Sequence, residues 1–406
     1  MKKAWSIVFS LILMCCLIAT CAFNAREIGA DLYKLYKNEI KNISLKSFDK
    51  LVQTVDSTLS DNFIIHGACI DTYGLIQKLE GKRTVIDADP DKTVIKGNDG
   101  KLYFASNVLS EDDSATGFEE NIDSNVSCLL NLNNFCKNRN ISLLYVNAPA
   151  KRINKADGFN YDSFDFYSKK SKYTEEQMNR FKINNLNLMS SLQGETSVYS
   201  DGFFATDHHW TIKTAFWAHQ KICLALNELF DYDIDKKYYD LDNFEIETYK
   251  KSYLGSMGTR VGKYYAGIDD IDIIFPKFDT DFKIQYETKT LNKSVKEEGP
   301  FDEVIHKHTP DYYYITSDNS IVNVDNLLIN SGHKVLLIKD SFGVPVSGWM
   351  SCWADELTIM DLRYKQEKSV EDVISEKDID TVIIIYNAEM LENRRLFIFD
   401  TKSEGK

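Results

Sequence analysis

The chain has 406 residues, 43% hydrophobic and 12% aromatic, enough apolar material for one large domain or two smaller ones. Six prolines and no low-complexity run argue against long disordered segments. A formal charge of −13 disfavours non-specific nucleic-acid binding, which needs Lys and Arg to displace counterions, and gives the body no reason to adhere to anionic lipid.

Lys2 and Lys3 precede an uncharged stretch, Ala4 to Ala25, whose core from Ile7 to Ile18 is strongly apolar. Residues 1–25 therefore read as an export segment, either a cleaved signal peptide or an N-terminal membrane anchor with its lysines inside. Cys21, after Ile18-Ala19-Thr20, matches a lipoprotein processing site only loosely. Residues 26–97 read as a stalk or leading region, with Leu32, Leu35, Tyr36 and Ile40 at helical spacing. Five cysteines lie beyond the export segment: Cys69, Cys128, Cys136, Cys223 and Cys352. They show no CxxC pairing and no His/Cys cluster, so neither a zinc site nor a disulfide framework is indicated.

The body alternates. Asp99-Gly100-Lys101 turns into a strand at Leu102-Tyr103-Phe104, and residues 124–138 carry a helical stripe. Ile141 to Val146 is a short apolar run ending at Asn147-Ala148-Pro149, the pattern of a buried parallel strand. Residues 174–192 read as a helix, Ser197–Tyr199 as a short strand and Thr211–Leu229 as an amphipathic helix. Further strands are expected at Lys334–Lys339, Leu357–Met360 and Thr381–Tyr386, with helices at 342–353 and 369–375. This rhythm predicts a doubly wound α/β fold with a parallel sheet. Residues 231–330 break it and read as a mostly β insertion. Its tyrosines, Tyr264, Tyr265, Tyr312, Tyr313 and Tyr314, could stack on sugars, but aromatic enrichment is ordinary in strands.

Two segments carry chemistry. Leu337-Ile338-Lys339-Asp340-Ser341-Phe342-Gly343 falls at a strand-to-helix junction, where α/β folds place their ligands. Free N–H groups of the helix's first turn can hold an oxyanion there. Ser341 still needs a base. Thr206-Asp207-His208-His209-Trp210 supplies one: in an extended chain Asp207 and His209 point the same way, so Asp207 can fix the tautomer of His209 for Ser341. Alone, Asp340-Ser341 could be only an N-cap, as could Asp207. His208 and His209 could instead be metal ligands, although adjacent residues rarely face one ion and no second ligand cluster is evident. The reading adopted is a Ser341–His209–Asp207 triad with no metal and no cofactor.

These two segments resemble the DHHW family, which is similar to the SGNH-hydrolase-like alginate O-acetylation proteins. Asp99-Gly100-Lys101-Leu102-Tyr103-Phe104, Pro149-Ala150-Lys151, Leu254-Gly255-Ser256-Met257-Gly258-Thr259-Arg260 and the strand Thr381–Tyr386 agree in order. The resemblance spans about residues 98–400 and implies a permuted SGNH-like catalytic domain with an insertion at about 231–330. By motif position it places the triad on Asp207, His209 and Ser341. Lys339 stands where such proteins have glycine before Asp-Ser, and the Gly and Asn blocks of ordinary SGNH hydrolases are not recognisable. Asn147 and Asn387, each ending a predicted strand, are oxyanion candidates or simply turn residues. Lys151, Trp210 and Phe342 are further substrate-binding candidates, with Lys151 and Arg152 more simply read as facing solvent.

The leading expectation is an extracytoplasmic O-acetyltransferase acting on a cell-surface or exported polysaccharide through an acyl-serine. The resemblance implies a membrane-bound O-acyltransferase as acyl supplier. A carbohydrate acetyl esterase using the same triad is the alternative, and a non-catalytic polysaccharide-binding or assembly factor a third. The chain is expected outside the cytoplasm, anchored by its N-terminal segment or secreted.

Overall fold

A computed structural model describes residues 66–105, 117–151, 166–194, 202–288, 293–315 and 319–400. The export segment, the stalk up to residue 65, Arg152 and the expected strand at Ser197–Tyr199 lie outside the described residues. Among the described residues no helix is long and apolar enough to cross a membrane.

The chain divides into two units, the smaller made, among the described residues, of 66–82 together with Thr259–Ala266. In it, helix α1 (His66–Leu79) meets the second segment at Gly74, where a Cβ would lie 2.0 Å from the Val261 carbonyl oxygen. Only glycine allows that approach. The Asp71 carboxylate accepts the Lys263 backbone N–H at 2.9 Å and its ammonium at 3.0 Å.

The larger unit, Arg83–Gly258 and Gly267–Lys406, holds the α/β core. Three short antiparallel strands open it: β1 (Thr84–Val85), β2 (Val94–Lys96) and β3 (Leu102–Phe104). An eight-stranded sheet follows, built from β4 (Ser142–Ala148), β5 (Asn185–Asn187), β8 (Phe282–Thr288), β9 (Lys293–Gly299), β10 (Ile321–Asn326), β11 (Lys334–Lys339), β12 (Glu356–Met360) and β13 (Thr381–Asn387). Its spatial order is β5-β4-β13-β11-β12-β10-β8-β9. The first five strands are parallel, and the insertion adds the last three antiparallel to one edge. The sheet is therefore mixed rather than wholly parallel. The insertion also forms a hairpin, β6 (Phe244–Tyr253) with β7 (Asp269–Pro276).

Strand alternation explains why the sheet is covered on both faces. Leu144, Val146, Val335, Leu337, Ile383 and Ile385 enter one core, and Leu143, Tyr145, Leu336, Ile338, Val382 and Ile384 the other. Helix α2 (Phe118–Lys137) sends Ile122, Val126, Leu129 and Leu132 into the second. Helix α5 (Ile212–Phe230) buries Ile212, Ala215, Phe216, Ile222 and Leu226 in the first. Thr211 caps α5, accepting the Thr214 N–H at 3.3 Å. Helix α6 (Gly343–Met350) is buried on every side, and its Trp349 meets Phe216 edge to face at 5.0 Å. Helix α7 (Val370–Glu376) begins with a full capping box between Ser369 and Asp372.

The single helix expected over 174–192 is instead α3 (Phe166–Arg180), strand β5 and α4 (Leu188–Gly194). Lys182, at φ +55°, ends the first helix, and Asn185–Asn187 then pairs with Tyr145–Asn147 at the sheet edge. A three-residue edge strand leaves too short a pattern to be read in the sequence.

Candidate active site

Ser341 follows the C-terminal end of β11, half-buried in the turn that enters α6. Asp340 is buried in that turn. Its carboxylate accepts the Asn387 N–H at 2.6 Å and the Phe342 N–H at 2.8 Å, tying the turn to the end of β13. Burial raises the Asp340 carboxyl pKa, against the pull of these amides and of Arg363. The Ser341 backbone N–H forms no hydrogen bond with another described residue. Lys339, in the place expected of a glycine, is buried and donates to Asp361 at 2.9 Å. Arg363 binds the same carboxylate through two nitrogens, at 2.9 and 2.6 Å. The lysine is accommodated because Gly343 has no side chain: a Cβ there would lie 2.6 Å from Lys339 Cβ.

Asp207 and His209 do converge, but not through extended chain. Residues 205–209 form a tight loop between Phe203 and Trp210, which pair as an isolated antiparallel bridge. Lys151 explains the curl. Its buried ammonium donates to the carbonyls of Leu102 and Phe204, both at 2.7 Å, and of Asp207 at 2.8 Å, with Ala205 at 3.3 Å. The loop is wound around one cation whose three protons are all used. Lys151 therefore neither faces solvent nor has a donor left for substrate. Burial pushes its pKa down to about 7, although Asp207 pulls the other way. Asp269 holds the outer side, accepting the N–H groups of Ala205 (3.1 Å) and Thr206 (2.8 Å) and the Thr206 hydroxyl (2.7 Å).

The Asp207 carboxylate accepts three hydrogen bonds. Tyr253 donates its hydroxyl to Oδ2 at 2.5 Å, while Ser256 Oγ (2.8 Å) and the His208 N–H (2.6 Å) reach Oδ1. His209 Nδ1 lies 3.2 Å from Oδ1, but off the axis of a hydrogen bond. Burial opposes ionisation of Asp207, yet the imidazoles of His209 and His208 hold its carboxyl well below the usual carboxylate range. Burial, with His208, pushes His209 down to about 4 against the pull of Asp207. His209 is therefore neutral at pH 7, the form a general base requires. Asp207, His208 and His209 each bring one ligand atom within 4.8 Å of the others, close enough for one ion. Both carboxylate oxygens are, however, already taken by hydroxyl and amide donors.

Two rings bridge the segments. Phe342 lies 5.2 Å from both His209 and Trp210. Tyr312, from the insertion, stacks on His209 with centroids 4.4 Å apart and donates its hydroxyl to the Ser341 carbonyl at 3.2 Å. His209 Nε2 is buried and has no hydrogen-bond partner among the described residues, Ser341 Oγ included. Such bonds are often loose without substrate and tighten when it binds.

The other candidates are placed as follows. Trp210 is fully buried, with its N–H unpartnered among the described residues. Asn387 is a capping residue: its amide donates to the Pro149 carbonyl at 2.9 Å and its oxygen accepts the Glu389 N–H at 2.8 Å. Asn147 is buried in β4 with its amide on the Ser171 hydroxyl. Sequence reasoning gave Tyr253 and Ser256 no role at the site and named Tyr312 only as a tyrosine that could stack on sugars. Gly255-Ser256 lay inside a motif already singled out, but nothing tied it to Asp207. Tyr312 and Tyr314 are fully buried and cannot stack on sugars, whereas Tyr313 is about half exposed.

The chain has an SGNH-hydrolase-like α/β fold, the fold expected from the two motifs. Residues 94–266 match the family model of the SGNH hydrolase-like domain of acetyltransferase AlgX, a span that includes Asp207 and His209 and ends before Ser341. Among solved structures the chain is similar to Bacillus cereus PatB1 with a sulfonyl adduct, at 17% identity and a TM-score of 0.63, covering 78% of this chain and 100% of that one. It is also similar to a DHHW family protein from Eubacterium siraeum, at 16% identity and a TM-score of 0.52, covering 77% of this chain and 97% of that one. The likeness read from the two motifs is thus met again in the family match and in the fold. No curated protein matches the chain by sequence.

Proposed function

We propose that this chain is an extracytoplasmic serine-dependent O-acetyltransferase that modifies a cell-surface or exported polysaccharide. The observation that carries the reading is the meeting of the Asp207 loop and the Ser341 turn at His209, a buried, neutral imidazole whose Nε2 has no partner among the described residues. Ser341 Oγ attacks the acyl carbonyl carbon while His209 Nε2 takes its proton. The resulting oxyanion accepts the free Ser341 N–H. The bond to the leaving oxygen breaks, and His209 returns the proton to that oxygen, leaving an acyl-serine. A sugar hydroxyl then attacks the acyl carbon, giving its proton to His209, which passes it to the departing Ser341 Oγ. Asp207, its Oδ1 3.2 Å from Nδ1, stabilises the protonated form of the imidazole by charge.

The match to an acetyltransferase domain favours acetyl as the group moved. Residues 1–25 supply the export signal or anchor in this reading, and a membrane-bound O-acyltransferase supplies the acyl group. In the test, a serine-reactive phosphonate or an activated acetyl ester is added and Ser341 is mapped by mass spectrometry, with and without an oligosaccharide acceptor. Labelled Ser341 with acceptor-dependent turnover is expected. Turnover equal with and without acceptor makes the protein an acetyl esterase. An unlabelled Ser341 in folded protein refutes the catalytic reading and leaves a polysaccharide-binding factor.

A further inference from the structure

We propose that Tyr312 is a positioning residue that locks the His209 ring to the Ser341 turn, so that the insertion completes the active site. The inference rests on Ser341 and His209 acting together as described above. It stands on two contacts made by one side chain: a near-parallel stack on His209, 22° between planes, and a hydroxyl donated to the Ser341 carbonyl. No other described side chain both stacks on His209 and hydrogen-bonds to Ser341.

The segment bearing Tyr312 is itself held. Ile315 N–H returns to the Ile305 carbonyl at 2.7 Å, closing the loop. Two residues beyond Tyr312, Tyr314 accepts the Ile274 N–H of β7 at 3.1 Å, and Trp349 of α6 donates to the Ile274 carbonyl at 3.1 Å. The loop is thereby clipped to the same helix that Ser341 precedes. Tyr312 extends from this anchor and is wholly buried between the two motifs. Its ring shields one face of His209 from water, and its hydroxyl sets the height of the Ser341 turn. The titratable or charged groups facing His209 are Asp207 and His208 of its own loop, Tyr312, and Arg363 after β12. Of these, only Tyr312 is altered in the test.

Tyr312→Phe and Tyr312→Leu separate the two contacts. Tyr312→Phe keeps the stack and removes the tether. We expect kcat for acetyl-ester hydrolysis to fall on the order of tenfold, with KM within about twofold and His209 titration unmoved. Tyr312→Leu opens the ring to water. The His209 pKa, read by NMR of the imidazole nitrogens, should then rise by at least about one unit toward its ordinary value. A general loss of packing would lower both activities in step with unfolding and leave no such split. An unmoved His209 titration in folded Tyr312→Leu, or an unchanged kcat in Tyr312→Phe, overturns the inference. Because the titration is read without turnover, it separates this inference from the acyl-serine reading: a Ser341 that resists labelling while His209 still shifts refutes that reading alone.

Discussion

Replacing Gly255 with alanine tests the geometry of the site directly. A Cβ at this position would lie 2.3 Å from Asp207 Cβ and 2.7 Å from its Cγ and Oδ2. Carbon atoms rest about 3.5–4 Å apart, so the two loops must separate by roughly 1 Å. Tyr253, two residues before Gly255, and Ser256, the residue after it, hold the Asp207 carboxylate at 2.5 and 2.8 Å. Parting the loops lengthens both bonds and swings the carboxylate away from His209. Misplacement by about 1 Å costs on the order of 100-fold in rate, and forced overpacking about 1–3 kcal/mol in stability. Gly255→Ala should therefore stay folded, with a modestly lowered urea midpoint, and lose about two orders of magnitude in kcat for acetyl-ester hydrolysis. Gly67→Ala, in helix α1 at a position with nothing within 4 Å, is the control and should leave kcat unchanged and not lower the urea midpoint. A Gly255→Ala protein with kcat within about threefold of wild type would mean that Asp207 does not sit where the triad needs it.

Other predictions follow from the buried charges. His209, held down to about 4 by burial and by His208, should give kcat/KM an acid limb near pH 4; a limb near 6.5 would show an imidazole in contact with water. His219, also held to about 4 by burial, sits in α5 with Nε2 3.1 Å from the Tyr238 carbonyl oxygen. Both histidines bind protons in the unfolded chain before they do in the folded one. Their stability contribution is complete above about pH 6.5 and falls toward pH 4, by roughly 3 kcal/mol each. His219→Gln should flatten the pH dependence of the urea midpoint over that window, and an unchanged slope would contradict the buried neutral imidazole. Lys151→Met removes the ammonium around which the Asp207 loop is wound and takes the close donor from the Leu102, Phe204 and Asp207 carbonyls. A net loss of roughly 2–5 kcal/mol and a fall in kcat are expected, and a denaturation curve within about 0.5 kcal/mol of wild type would rule out the clamp.

Much of the fold is legible in the chain because buried parallel strands leave strong local marks. Val335-Leu336-Leu337-Ile338 and Thr381–Tyr386 are continuous apolar runs, and the helix after Thr211 carries a clear 3.6-residue stripe beside its cap. The edge strand Asn185–Asn187 is short and polar, so only its pairing with β4 identifies it. That β8, β9 and β10 join the main sheet rather than forming a separate one is likewise decided by pairing.

By itself, the sequence determined which residues could do chemistry: a serine after a buried strand, and an aspartate and histidine before a capped helix. Only the tertiary structure decided how they meet. Lys151 curls the loop, Gly255 lets the insertion reach Asp207, and Tyr312 spans His209 and the Ser341 turn. Each of these acts across tens to more than a hundred residues of chain. A lysine, a glycine and a tyrosine look ordinary in their local context. Their roles come from desolvation, close approach and ring stacking, which exist only once distant segments are packed together.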